Sequence, residues 1–362
     1  MVVNKMLDYI KEVLENIPAG WLSLTTHRLD IYDEKLAKVQ FLEHFEILAN
    51  ENNSNYSALN ELPTAFDYIR LGHPLSCVLE WLIAKMNNLS AEGVVSFSSK
   101  TMPVLAILRK NLLKNKNIQI SYTGKLPNYF DIEILRSIYG YKFELNQVLD
   151  ASEISEFNGS NIFISQQDGF YVDLNTNIDF FINVHANYGS LLLVNGEKNK
   201  YYVSEIQHVR RRETIAMTPK NCFEVLNFLI NRSSFKTIKT DASANKIAVL
   251  DSIKKICNTT TNPLVASSGL SIQYAILMGL VDYAKEYHKG KSIKIVVPPN
   301  CYGGTNDQVR RAAACIETIE IMDLPVDGDY DMVQSLDFIL NKIAAEDAVP
   351  YVIAEIPTNP RV

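Results

Sequence analysis

Apolar positions three and four residues apart mark the first part of the chain as helical. LAKVQFLEHFEIL (36–48) carries such a stripe, and MVVNKMLDYIKEVLENI at the start reads as an amphipathic helix with acids in it. The polar stretch ENNSNYSALNELPT (51–64) predicts a loop. PLSCVLEWLIAKM (74–86) returns to helical spacing, followed by a short apolar run, GVVSF (93–97), and a second helix, MPVLAILRKNLL (102–113). NIFISQ (161–166) and YGSLLLVNG (188–196) are β-branched and leucine runs ending in turn residues, which predicts strands. NRSSFKTIKTDASANK (231–246) then has the composition of a linker.

Beyond it the pattern alternates cleanly. It predicts helix 247–256, strand PLVAS (263–267), helix 269–288, strand SIKIVVP (292–298), helix QVRRAAACIE (308–317), strand TIEIMDL (318–324), helix 330–346 and strand YVIAEIP (351–357). Strands alternating with helices of that length imply right-handed crossovers and a mostly parallel sheet covered on both faces. Ligands bind such sheets just outside the carboxyl ends of the strands, which directs attention to the loops 267–270, 299–305, 323–330 and 355–361.

Length changes the picture by favouring two domains, since 362 residues exceed one ordinary core. The balance of 47% apolar and 21% charged residues is that of a globular chain with a sizeable interior. A net charge of -6 argues against a nucleic-acid partner held by a broad phosphate footprint. The one dense basic cluster, Arg210, Arg211 and Arg212, reads as a solvated helix face. No apolar stretch reaches the roughly 18 residues of a membrane span, so no membrane partner and a cytoplasmic location are expected. The five cysteines are scattered without a CxxC pair, and neither a metal signature nor a P-loop or GxGxxG appears.

At the strand ends the residues suggest chemistry. Ser267, Ser268, Gly269 and Leu270 lead from a strand into a helix, where exposed backbone N–H groups and the helix dipole favour an anion such as phosphate. A plain serine N-cap has the same sequence. Tyr302 follows a strand that ends in two prolines, and its ring could lie over a planar group while Gly303 and Gly304 let the chain turn away. In AEIPTNP the strand delivers Glu355 and stops at Pro357, with Asn359 turned outward by the proline after it. A carboxylate and an amide there can hydrogen-bond the edge of a ring. Together the loops describe a pocket for a phosphorylated, flat, hydrogen-bonding ligand.

That pocket resembles the pyridoxal 5'-phosphate site of the Cys/Met metabolism (trans-sulfuration) family, which includes cystathionine gamma-synthases, cystathionine lyases and O-acylhomoserine sulfhydrylases. The resemblance is carried by SSGL (267–270), CYGGT (301–305) and EIPTNP (355–360), and covers about residues 236–362. It implies a fold-type-I, aspartate aminotransferase-like three-layer αβα domain and a homo-oligomer acting on an amino-acid substrate. Gly269 and Leu270 would bind the phosphate through backbone N–H groups. Tyr302 would stack on the ring and assist proton transfer, and Asn359 would reach the ring's phenolic oxygen.

Departures from the family pattern shape further expectations. The family's Schiff-base lysine and pyridinium acid lie downstream of EIPTNP, so the chain is expected to be an amino-terminal fragment or a degenerate copy, inactive alone. Asn300 stands where many relatives carry Asp. The family's Tyr-x-Arg, which by resemblance reaches the phosphate of a neighbouring subunit, has no counterpart in TDASANK (240–246) but appears upstream as Tyr68 and Arg70, followed by Pro74. Residues 1–235 are therefore either a decayed duplicate of the fold or the separate α/β domain of long-form family members. The second is preferred because Lys100 replaces the loop glycine and nothing like YGGT follows. A gamma-replacement on O-acylhomoserine is the expected reaction. A lyase or sulfhydrylase, a non-catalytic subunit and a phosphate-sugar enzyme are the alternatives.

Overall fold

The computed structural model describes residues 3–23, 34–66, 68–127, 129–167, 174–231, 241–326 and 331–355. They group into two compact units, one of residues 1–111, 116–127 and 143–263, the other of residues 112–115, 128–142 and 264–362. Four helices come first: α1 (Val3–Glu15), α2 (Glu34–Glu51), α3 (Tyr56–Asn60) and α4 (Pro74–Met86). There follow β1 (Val94–Phe97), α5 (Met102–Leu112), β2 (Ile118–Thr123), α6 (Ile132–Ser137), β3 (Glu144–Val148), β4 (Ser160–Ser165), β5 (Phe180–His185) and β6 (Gly189–Val194). The run α7 (Val203–Glu213), α8 (Pro219–Asn231) and α9 (Ala242–Ile256) closes the first unit, while α6 groups with the second.

The first sheet has six strands in the order β1-β6-β5-β4-β2-β3. Only β6 runs antiparallel to its neighbours, because the β5–β6 connection is a tight turn whereas every other connection is long enough for a crossover. Every residue of β4, β5 and β6 is buried, as expected of strands covered on both faces. Gly189 opens β6 with φ +107, and a Cβ there would lie 2.1 Å from the Phe97 carbonyl oxygen. Gly189→Ala is expected to destabilise the first unit by about 2 kcal/mol, read as a lowered urea midpoint. An unchanged midpoint would mean that the turn can move away from β1.

α4 shows how local sequence sets a helix start. His73 Nδ1 accepts the Ser76 N–H at 3.2 Å, the Ser76 hydroxyl accepts the His73 N–H at 2.9 Å, and Pro74 opens the helix where an N–H has no partner anyway. The helix is buried almost all round, Glu80 included. Glu80 accepts from Lys38 Nζ at 2.5 Å, from Arg210 at 2.8 Å, and from the Ser96 backbone N–H and hydroxyl at 2.8 and 2.7 Å. This corrects the reading of the arginine cluster. Arg211 and Arg212 are half-buried, but Arg210 is fully buried as a partner of a core carboxylate. Arg109 and Glu213 form a second buried pair with two parallel contacts.

The second unit contains α10 (Gly269–Tyr287), β7 (Ile293–Val297), α11 (Gly303–Ala313), β8 (Ile319–Asp323), α12 (Met332–Ala345) and β9 (Val349–Val352). Its three strands are all parallel, in the order β8-β7-β9. β7 is buried at every position, and the flanking strands are partly exposed. The α/β class and the mostly parallel strand arrangement are those expected.

Several elements differ from expectation. PLVAS forms no strand: among the described residues 263–267 join neither sheet, and Leu264 is 72% exposed. The stretch 51–64 includes α3, and α9 starts inside the expected linker, of which 232–240 lie outside the described residues. α11 runs from 303 to 313 instead of 308–317, because the loop glycines begin the helix. β2 (IQISYT), with alternating apolar and polar residues, and β5 (FFINVH) lie outside the expected strands although both carry a strand signal, whereas β3 gives no clear one. β3 is an edge strand, ELNQV, with mostly polar side chains.

Candidate functional site

Three chain segments meet at the carboxyl end of the second sheet, and each is held by an identifiable bond. Ser268 is the N-cap of α10, its hydroxyl accepting the Ser271 N–H at 3.1 Å. Gly269 and Leu270 are then the first two helical residues, whose N–H groups have no acceptor within the helix. Gly269 is exposed, and a Cβ built on it meets no atom within 4 Å, so the space beside Gly269 is open, while the Leu270 side chain is buried. The glycine's value there is access, not backbone freedom.

Tyr302 caps α11 from the end of β7. Its backbone N–H donates to Glu355 Oε2 at 2.8 Å, and the Thr305 hydroxyl donates to Glu355 Oε1 at 2.5 Å. Glu355, just past β9, therefore supplies from a distance the acceptors that a serine or aspartate N-cap would supply locally. Its carboxylate fastens the Tyr302 loop, so the sequence expectation of a ring-edge contact is joined by a positioning role. Gly303 and Gly304 do not turn the chain away, as expected from sequence. They are the first residues of α11, and neither has a positive φ.

α10 and α11 are braced to each other at the same end. Gln308 Nε2 donates to the Leu270 carbonyl at 2.9 Å, and Gln273 Oε1, 3.1 Å from Thr305 Oγ1, competes with Glu355 for the single Thr305 hydroxyl proton. Gln273 and Gln308 were not singled out from sequence. The available signal was spacing: Thr305 and Gln308 sit three apart on one face of α11. Gln273 Nε2 and Asn300 Oδ1 are buried polar atoms with no hydrogen-bond partner among the described residues. Unpaired groups of this kind at a strand end are available to a polar ligand.

The remaining expected site residues lie elsewhere. Asn359 is outside the described residues. Tyr68 and Arg70 belong to the first unit, where the Arg70 guanidinium lies 4.3 Å from the centre of the Tyr68 ring and Arg211 approaches the same ring at 5.8 Å. Arg70 is buried, and its carbonyl accepts the Ala216 N–H at 3.0 Å. Three lysines of the second unit are engaged away from these loops: Lys285 with the Ser137 carbonyl, Lys291 with Asp347, and Lys294 with Glu320 and Glu346. Among the described residues no group of three His, Cys, Asp or Glu side chains could hold a metal ion. No helix among them is long and apolar enough to cross a membrane.

No family model matches the chain, and no curated protein does. Several solved structures are similar to parts of it. It is similar to metB from Corynebacterium glutamicum at 15% identity and a TM-score of 0.36, over 53% of this chain and 60% of that one. It is similar to cystathionine gamma-lyase from yeast at 13% identity and a TM-score of 0.39, over 68% of each chain. A third is a putative O-acetylhomoserine (thiol)-lyase from Campylobacter jejuni, solved with N'-pyridoxyl-lysine-5'-monophosphate, at 12% identity and a TM-score of 0.31, over 58% of this chain and 65% of that one. The chain thus spans about three fifths of the length of the first of these.

Proposed function

We propose that the second unit binds pyridoxal 5'-phosphate, and that the chain is part of a trans-sulfuration enzyme of methionine or cysteine metabolism. The observation that carries this reading is the open amino end of α10 beside a tyrosine loop fastened by Glu355. The residues fit the group. The free N–H groups of Gly269 and Leu270, with the α10 dipole behind them, suit a phosphate dianion. Gln273 Nε2 offers a buried donor without a partner, and Tyr302 offers an aromatic face.

When bound, pyridoxal phosphate supplies an electron sink for carbanion chemistry at an amino acid's Cα. The chain's own contribution is positional. Ser268 shapes the first turn of α10, Glu355 and Thr305 set the Tyr302 loop, and Tyr302 would hold or move a proton near the ring. Asn359, Tyr68 and Arg70 enter through the family resemblance, as further cofactor contacts. The same resemblance favours gamma-replacement on an O-acylated homoserine, in which the acyl group leaves Cγ and a thiol adds. A lyase or sulfhydrylase would place the same residues around the same cofactor, and a homo-oligomer in the cytoplasm is the setting it suggests.

The test is binding, which requires no turnover. Equilibrium dialysis of the purified chain with pyridoxal phosphate is expected to show saturable uptake. Gly269→Asp places a carboxylate where the phosphate would sit and is expected to weaken uptake at least about tenfold, a cost of some 1.4 kcal/mol. Equal uptake by the variant and the parent would rule out this loop as the phosphate site.

A further inference from the structure

We infer that the chain carries one α/β half-sheet twice, and that the strand-end loop of the first copy is tied into the fold, so each chain offers a single phosphate loop. The repeat is visible in topology. β2, β3 and β4 lie in the order β3-β2-β4 and are parallel, as β7, β8 and β9 lie in the order β8-β7-β9. A helix precedes each set, α5 before β2 and α10 before β7, and another joins its first two strands, α6 and α11.

Local details repeat as well. Five residues link α5 to β2 (113–117) and five link α10 to β7 (288–292), and the third of each has positive φ, Asn115 at 50° and Gly290 at 81°. Further upstream, α4 and α9 both end with an asparagine of positive φ two residues past the helix, Asn88 and Asn258. In both cases the next N–H closes back over the last turn, Leu89 to Ala84 at 2.9 Å and Thr259 to Lys254 at 3.1 Å. Before α5 and α10 stand paired serines, and the second of each pair accepts the N–H three residues on at 3.1 Å, Ser99 from Met102 and Ser268 from Ser271. No single match is diagnostic, but their common order is hard to obtain without a repeat. This favours the duplicate over the separate-domain reading of residues 1–235.

The two loops differ in what their donors do. In the first copy the Ser98 N–H bonds the Ile215 carbonyl at 3.1 Å, and the Ser98 hydroxyl bonds Ala216 at 2.7 Å. The N–H groups of Thr101 and Met102 go to Ser99 Oγ, and those of Val104 and Leu105 go to the Thr101 carbonyl. Pro103 has no N–H to offer. From above, the β5–β6 turn closes on the strand end: Gly189 lies against Phe97 and Ser98, and Ser190 donates to the Ser99 carbonyl at 2.5 Å. In the second copy Gly269 and Leu270 keep their N–H groups open. The first copy is a scaffold, and the second holds the ligand.

The part concerning the second loop rests on the cofactor reading above; the part concerning the first does not. Residue-resolved hydrogen exchange on the whole chain, with and without pyridoxal phosphate, separates them. The amides of Ser98, Met102 and Val104 are expected to exchange on the order of a hundredfold slower than unstructured amides without ligand, and to stay unchanged with it. Those of Gly269 and Leu270 are expected to be fast without ligand and slow with it, and dialysis should give one cofactor per chain. Unprotected amides at 98–104 that become protected by the cofactor, or two equivalents bound, would overturn the inference. Protection at 98–104 with no response at 269–270 would leave the first loop's assignment standing and sink the cofactor reading instead.

Discussion

Replacing Glu80 by alanine is expected to destabilise the first unit by about 3–5 kcal/mol. The carboxylate is fully buried between Lys38 and Arg210, both also buried. Burial alone would raise its pKa, but the two cations and the Ser96 N–H outweigh that and hold it down at about 2. Removing it leaves two desolvated positive charges facing each other. Lys38 can shed its proton or lean on the Ala91 and Val94 carbonyls, at 2.8 and 3.0 Å, whereas Arg210 cannot deprotonate. Glu80→Gln keeps an acceptor for Ser96 and should cost less than the alanine. Tryptophan fluorescence reports the unit concerned, because both tryptophans of the chain, Trp21 and Trp81, are buried in it. A loss below about 1 kcal/mol in urea titrations would show that the cations do not depend on Glu80.

The same residue shows where sequence reasoning stops. Helical periodicity locates α4 to the residue, but it assumes one face toward solvent. A helix packed on all sides turns its one acid into a core residue, and only the tertiary partners from α2 and α7 reveal this. Arg210 was misread for the same reason: a charge run is normally solvated, and nothing local marks the one member that faces a buried carboxylate. PLVAS failed in the opposite sense. Its residues suit a strand, as VVSF does before the equivalent serines, but a strand needs a neighbour, and the described residues supply 94–97 with β6 and 263–267 with none. Of the strand-end loops, the Ser268 cap was legible because a serine N-cap acts over three residues, whereas the hold of Glu355 on the Tyr302 loop spans 53 positions and leaves no local signal. Thr305, Gln273 and Gln308, which brace those loops, act across elements and so escaped notice.

A second large effect is expected from pH. His73 is fully buried at the start of α4, with Nδ1 accepting from Ser76 and Nε2 2.7 Å from the Met217 carbonyl, so its neutral form fills both bonds with the proton on Nε2. Burial pulls its pKa from 6.5 down to about 4; Arg210 pulls the same way, and the Met217 carbonyl and Glu80 oppose. A folded pKa below the unfolded one means the unfolded chain takes up the proton first. The associated stability is present above about pH 6.5 and is lost as pH falls toward 4, by up to about 3 kcal/mol. Glu80 contributes little above about pH 5, because its own depressed pKa costs stability as the pH falls from about 4.5 toward 2, so the two losses overlap only at the acid end of the His73 window. His73→Asn keeps a good N-cap acceptor for Ser76 but cannot titrate. It should be somewhat less stable at pH 7.5, through loss of the Met217 contact, yet show a flatter decline between pH 6.5 and 4. Parallel declines in parent and variant, followed by tryptophan fluorescence in urea, would assign the acid sensitivity of the first unit to some other group.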